Sequence, residues 1–289
     1  MDKQGTVIKS VGGVFTVSDA NGEQRVCYSP KKLRYKSDDV IIGDKVLYEP
    51  LKNGKGVIVQ TLPRKNKLAR PEIANVDVCF IVVAVEPQAD LYLVDKVLIN
   101  CFQEGIEPVI VVNKSDLTEE TYNEVKANYQ TVADVISTSA TDGSVEQIRG
   151  YLKGKTACFA GQSAVGKTSL INALLQTSAG AVGGLSAKTG RGMHTTRHAA
   201  LLRTDGGFIA DTCGFSLCDL HGIRSDELRL YLDDLVRLSG GCKYPSCTHT
   251  VEPDCAVKRA ALTGALNSER YSRYLEEYAE LVKFEKSRY

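Results

Sequence analysis

The sequence predicts three units in series: an all-β barrel, an α/β domain of about 150 residues, and a small helical domain that carries a cluster of cysteines and a histidine. Three observations lead there. The first 67 residues read as short strands parted by turns. From about residue 76, continuous apolar runs alternate with helical spacing. After residue 225 a helical pattern is interrupted by three cysteines and a histidine. The expected boundaries are 1–67, 68–220 and 221–289.

In the first unit the candidate strands are 5–9, 13–18, 24–28, 45–48 and 56–61. The turns between them, Asp19-Ala20-Asn21-Gly22 and Lys52-Asn53-Gly54-Lys55, are rich in residues that tolerate positive φ. Five short strands in so little chain make a small barrel, with the OB-fold and an SH3-like barrel as the two alternatives. Lys31, Lys32, Arg34 and Lys36, interleaved with Tyr28 and Tyr35, suit an RNA surface: cations for phosphates and rings for stacking. A solvated basic loop is the plainer reading of the same residues.

The charge distribution agrees with the first of these. Net charge is +1, yet residues 1–67 hold 13 Lys and Arg against 7 Asp and Glu, residues 68–220 hold 12 against 17, and the remainder 11 of each. A basic head on an otherwise acidic chain fits a polyanionic partner, and on charge alone fits a solvated basic face equally well. The chain is 289 residues long, 43% hydrophobic and 25% charged, which excludes disordered and collagen-like classes. No run approaches the roughly 18 apolar residues of a membrane helix, and the first residues do not resemble a signal peptide. A cytoplasmic protein without membrane contact is expected, and nothing suggests an obligate oligomer, so a monomer is expected. Cys27, Cys79, Cys101, Cys158, Cys213 and Cys218 are scattered and read as reduced small hydrophobes.

In the second unit, 78–85 and 108–112 are the uninterrupted apolar runs of parallel strands covered on both faces. Helical spacing covers 92–104 and 118–129; further strands are expected at 133–136 and 156–160, and a hairpin at 201–203 with 207–210. Directly after the strand 156–160 comes Gly161-Gln162-Ser163-Ala164-Val165-Gly166-Lys167-Thr168, followed by Ser169 and a helical run. This is a P-loop in its proper context. The glycines let backbone N–H groups wrap phosphates, and the helix N-terminus adds positive potential. Lys167 is positioned for the β- and γ-phosphates, and the Thr168 hydroxyl for Mg²⁺.

The base is chosen elsewhere. Asn113-Lys114-Ser115-Asp116 ends the strand 108–112, where ligands of open α/β sheets bind. The Asp116 carboxylate accepts from guanine N1–H and the 2-amino group together, whereas adenine would leave it unpaired. Asn113 and Lys114 hold the ring from its other edge and face, and Ser139-Ala140 offers a backbone N–H to the guanine oxygen. Asp211 of Asp211-Thr212-Cys213-Gly214 is a candidate for Mg²⁺ through water, and the Gly214 N–H for the γ-phosphate. Thr195 and Thr196 lie in a Gly- and Ser-rich loop, 183–197, suited to ordering around both. These parts stand in an unusual order, with the base-reading tetrapeptide before the P-loop. The same sheet is threaded this way if the domain is circularly permuted, its old ends joined between Ser139 and Thr156. Whatever follows residue 220 is then attached to the segment that moves with the γ-phosphate.

In the third unit Cys242, Cys247, His249 and Cys255 offer three thiolates and one imidazole, a tetrahedral set for a structural Zn²⁺ with no open position. The last stretch, 268–287, is a charged amphipathic helix capped by Asn267 or Ser268.

Together these residues resemble the ribosome small-subunit-dependent GTPases, a circularly permuted family. The resemblance covers nearly the whole chain. It rests on Arg70-Pro71 with Ala74-Asn75-Val76-Asp77, the segments 113–116 and 161–168, Arg191-Gly192-Met193-His194-Thr195-Thr196-Arg197, and the segment 211–215. The Cys/His cluster with Glu252-Pro253, and Arg270-Tyr271, complete it. It implies an N-terminal OB-fold, a permuted GTPase domain and a zinc domain. It also implies a GTP-to-GDP hydrolase stimulated by the small ribosomal subunit, which grips ribosomal RNA and acts in subunit maturation. Two residues depart from the family pattern: Ala164 where glycine is usual, expected to tighten the loop and weaken nucleotide affinity, and Cys213 where proline is usual. Phe215 occupies the place of the water-orienting glutamine of Ras-like enzymes, so hydrolysis needs another group. His194 is the candidate catalytic residue, and the resemblance points the same way. Two rival readings remain: an RNA-binding module gated by nucleotide, and a P-loop kinase or ATPase, against which the segment 113–116 argues.

Overall fold

The structure is a computed structural model that describes residues 2–30, 39–69, 72–139, 144–179, 200–204, 206–211, 220 and 222–287. Lys31, Lys32, Arg34, Tyr35, Lys36, Arg70, Pro71, Ala140, the loop 183–197 with His194, Thr195 and Thr196, and Cys213, Gly214, Phe215 and Cys218 lie outside the described residues.

Strands β1 (Lys3–Val11), β2 (Val14–Ser18), β3 (Gln24–Tyr28), β4 (Lys45–Pro50) and β5 (Gly56–Thr61) form a closed barrel in the order β1-β2-β3-β5-β4-β1. The β3–β5 pair is parallel and the other pairs are antiparallel. That closure fits the OB-fold, the first of the two barrel alternatives. Alternate residues Phe15, Val17, Val46, Tyr48 and Ile58 fill the interior with Val7 and Cys27.

The spacing missed a short antiparallel pair, β6 (Lys67–Ala69) with β7 (Glu72–Ala74), which lies across the expected 67–68 boundary. Here the barrel is fastened to the next unit. Asn66 pairs both ways with the backbone of Val76, and Asn75, at φ 58°, donates to the Gly43 carbonyl at 3.0 Å. A Cβ on Gly43 would overlap the Ala74 carbonyl oxygen, so this close approach needs glycine.

The α/β unit continues with β8 (Val78–Ala84), α1 (Leu91–Glu104), β9 (Glu107–Asn113), α2 (Glu120–Tyr129), β10 (Asp134–Ser137), α3 (Glu146–Tyr151), β11 (Thr156–Ala160), α4 (Lys167–Ala179), β12 (Ala200–Arg203) and β13 (Phe208–Asp211). Its strands run β10-β9-β8-β11-β13-β12, parallel except for β12. The run 78–84 is buried throughout because it is central and covered twice. Cys79, Ile81 and Val83 face a core shared with α1 and α2; Val78, Phe80, Val82 and Ala84 face one shared with α3 and α4. Asp90 caps the start of α1 and Gly105, in the left-handed region, its end. The barrel joins this sheet through a single β1–β12 pair, Lys9 with Ala200, and Arg203 donates to the carbonyls of Asp19 and Ala20 in a barrel turn.

The remaining chain forms a 3₁₀ turn (Leu228–Tyr231), α5 (Asp233–Ser239), α6 (Ala256–Thr263) and α7 (Ser268–Lys286), whose core takes in Ile99 of α1. Asn267 is the cap of α7. The helix is amphipathic as expected, but its buried face carries charges. Arg270, 3% exposed, pairs with Asp95 and Asp234, and Arg273 also pairs with Asp95. Two acids and two bases balance, leaving Glu277 as a surplus carboxyl buried beside them. Burial, with Asp95 nearby, pushes the Glu277 carboxyl well above the usual range. A raised acid supports the fold below the ordinary carboxyl range and loses that contribution as pH rises towards its folded value. Glu277→Gln is therefore expected to be more stable than the parent at pH 8 and equal to it near pH 4, read by urea unfolding across that range. Among the described residues, no helix is long and apolar enough to cross a membrane.

Candidate functional site

The P-loop leaves β11 and enters α4, with the segment 113–116 beside it at the end of β9. Asn113, 2% exposed, donates through Nδ2 to the Val165 carbonyl at 2.8 Å. Lys114, at φ 61°, reaches the Ala164 carbonyl at 3.2 Å and the Glu86 carbonyl. The segment 113–116 and the P-loop are thus one hydrogen-bonded assembly. Asn113 Oδ1 is buried with no hydrogen-bond partner among the described residues, an acceptor facing a place for a donor. Asp116 is exposed, so its carboxylate is desolvated only when a base covers it. Ser139 is buried and its N–H meets Ser144 Oγ at 2.6 Å, while Thr138 bridges to Val112 and Ser115.

Within the P-loop, Gly161 has φ 126° and a Cβ there would overlap the Val82 carbonyl oxygen; one on Gly166 would overlap Asn113 Nδ2. Val165 is buried and pins the loop, whereas Ser163, Ala164, Thr168 and Ser169 are exposed along it. Lys167 is half-buried and donates to the carbonyls of Gly161 and Gln162; burial lowers its pKa, which favours a site that supplies negative charge. Gln162 Oε1 accepts from the Asp90 N–H at 3.2 Å. Asp211 ends β13 on the strand next to β11.

Ala164 has φ 65°, a conformation that disfavours a side chain. Ala164→Gly is expected to raise stability by about 1 kcal/mol and to tighten GTP binding, as read by thermal unfolding and nucleotide titration.

In the C-terminal domain Cys242, Cys247, His249 and Cys255 place their ligand atoms within 4.8 Å of one another. His249 Nδ1 lies 3.6 Å from Cys242 Sγ and 3.4 Å from Cys255 Sγ, and those two sulfurs are 3.9 Å apart. A regular tetrahedron with edges of that length has its centre about 2.1–2.4 Å from its corners, the length of zinc–nitrogen and zinc–sulfur bonds, and Cys247 completes the set within 4.8 Å. Burial and the nearby Arg229 lower the His249 pKa, keeping the imidazole neutral as a ligand must be. Burial and the neighbouring Cys255 push the Cys247 thiol up to about 12, a clash of buried thiolates that a divalent cation reverses. The frame is rigid: Glu252 accepts from the Thr248 and Thr250 amides at 2.7 and 3.0 Å, and Tyr271 OH donates to the His249 carbonyl at 2.7 Å. The four residues fit a zinc ion.

Residues 61–221 match the model of the RsgA GTPase family. The chain is 38% identical over 288 residues to a Small ribosomal subunit biogenesis GTPase RsgA of Moorella thermoacetica, covering 98% of this chain and 99% of that one. It belongs to the RsgA GTPase family. A relative of the same name from Geobacillus sp. is 39% identical, over 99% of both chains. Among solved structures, YjeQ from Thermotoga maritima superposes with a TM-score of 0.85 at 34% identity, covering 98% and 99% of the two chains. YloQ, described as a circularly permuted GTPase, superposes at 0.83 and 32%, covering 98% and 96%. Membership in this GTPase family makes the chain a GTP hydrolase, and its α/β domain has the permuted order expected from the motifs.

Sequence reasoning missed Glu86 and Asp90 as neighbours of the nucleotide site. Asp90 was legible as a helix cap, but both touch the site through backbone atoms, which any residue carries.

Proposed function

We propose that this RsgA-family GTPase binds the small ribosomal subunit and assists its maturation, hydrolysing GTP with subunit-stimulated turnover. Its curated relatives carry that role in their names. The observation that carries the nucleotide part is the pair of bonds from Asn113 and Lys114 to the P-loop carbonyls, which joins base recognition to phosphate recognition. Gly161, Gln162, Ser163, Ala164, Val165, Gly166, Lys167, Thr168 and Ser169 cradle the phosphates. Asn113, Lys114, Asp116, Ser139 and Ala140 read guanine. Thr195, Thr196 and Gly214 sense the γ-phosphate. Thr168, with Asp211 through water, would hold Mg²⁺, which would supply charge neutralisation at the phosphates. Cys242, Cys247, His249 and Cys255 hold one structural Zn²⁺.

The three domains, 1–67, 68–220 and 221–289, act in a cytoplasmic monomer. The barrel and the zinc domain grip ribosomal RNA, GTP favours the bound state and hydrolysis favours release. His194 assists the attacking water. The test is GTP turnover with and without small subunits, with ATP as control. Stimulation restricted to GTP is expected, lost in His194→Ala with nucleotide affinity intact. Equal turnover in that variant sinks the role of His194; no stimulation of the parent, with tight GTP-dependent binding, favours a nucleotide-gated binding module.

A further inference from the structure

Helix α1 meets the nucleotide site at its N-terminus and the C-terminal domain along its flank. At the first of these, the Asp90 N–H donates to Gln162 of the P-loop, and the preceding turn is held by Lys114 through the Glu86 carbonyl. On its flank, Asp95, 1% exposed, gives one carboxylate oxygen to Arg270 and the other to Arg273 of α7. Arg270 continues to Asp234 of α5, and both guanidinium groups lie over the Tyr129 ring. Lys96, the next residue, pairs with Glu280, and Ile99 sits in the C-terminal core beside Leu220 and Ile223. A buried carboxylate shared between two arginines resists both sliding and rotation, since any slip strips buried charges of their partners.

We propose that Asp95 is a positioning residue for the subunit-stimulated reaction. Through Arg270 and Arg273 it makes α1 and α7 one body, so a load placed on the C-terminal domain reaches the P-loop at Gln162 and the base site at Lys114. This rests on the proposed function. It differs from a purely structural role because the effect falls on the stimulated rate alone.

The test compares the parent with Arg273→Gln, which removes one partner of Asp95 and leaves Arg270 shared between Asp95 and Asp234, and with Arg273→Lys, which keeps the charge. In Arg273→Gln, GTP affinity, unstimulated turnover and the subunit concentration giving half-maximal stimulation are expected to match the parent. The stimulated kcat falls about tenfold, a typical coupling, and amides in the first turn of α1 exchange faster. Arg273→Lys recovers most of the rate. Should Arg273→Gln not fold, Glu280→Gln on the exposed rim carries the same test with a smaller fall. An unchanged stimulated kcat overturns the inference. So does a loss matched in unstimulated turnover, or one confined to the half-saturating concentration. A parent that is not stimulated at all overturns the functional reading itself, and this is visible before any variant is made.

Discussion

Stripping the metal from Cys242, Cys247, His249 and Cys255 is expected to unfold the C-terminal domain while the parallel sheet survives. Cys247 and Cys255 are part of the hydrophobic core that includes Leu235, Val257, Leu266 and Tyr274, so the cluster is not a surface ornament. Without a cation, three thiols and an imidazole a few ångström apart must either keep their protons or repel. Without the metal, ordering of the loop 242–255 falls to hydrogen bonds around Glu252 and Tyr271, and His249 and Asp254 both sit at positive φ. Zinc binding to such a site is worth about 10 kcal/mol, close to the whole stability of a domain. Metal analysis should find about one zinc per chain. Chelation, or Cys255→Ser, should abolish amide protection across α6 and α7 and leave that of β8 and β9 intact. Protection that survives metal removal would refute the structural role.

Changing Asp116 to asparagine is expected to exchange guanine specificity for xanthine. In the proposed site the Asp116 carboxylate would accept two hydrogen bonds from guanine, at N1–H and the 2-amino group. An asparagine amide has one acceptor and one donor, so against guanine two donors meet face to face. Xanthine carries a carbonyl in place of the 2-amino group and fits the amide. The loss for GTP is expected to be about 10³-fold or greater, because a site built around hydrogen bonds rejects a ligand that leaves them unmade. Asp116 is exposed, so the fold should not suffer. Titration with GTP and xanthosine triphosphate decides it; GTP affinity that holds would remove Asp116 from the base site.

The nucleotide motifs and the metal ligands were legible because each chemistry demands particular residue types at short spacing. Lys167 follows Gly166 because phosphate, loop and cation must meet within one turn, and four ligands must converge on one ion. The buried run 78–84 was equally plain, since a strand covered on both faces has no polar side to show.

Other features depended on residues far apart in the chain. The closed barrel order, with β3 parallel to β5, follows from which edges are left free once the hairpins form, and the spacing of strands does not carry that. Ala164 in the left-handed region is dictated by the loop that Asn113 and Lys114 clasp. On α7, Arg270 and Glu277 share one stripe with Tyr274 and Leu281, and although their charges argue for solvent all four are buried. The sequence by itself determined the loop 161–168 between a strand and a helix, the strand end at 113–116 and the Cys/His cluster, because those patterns are local. Only the tertiary structure decided which charges left water, because Asp95, Asp234, Arg270 and Arg273 become partners after the chain has brought distant helices together.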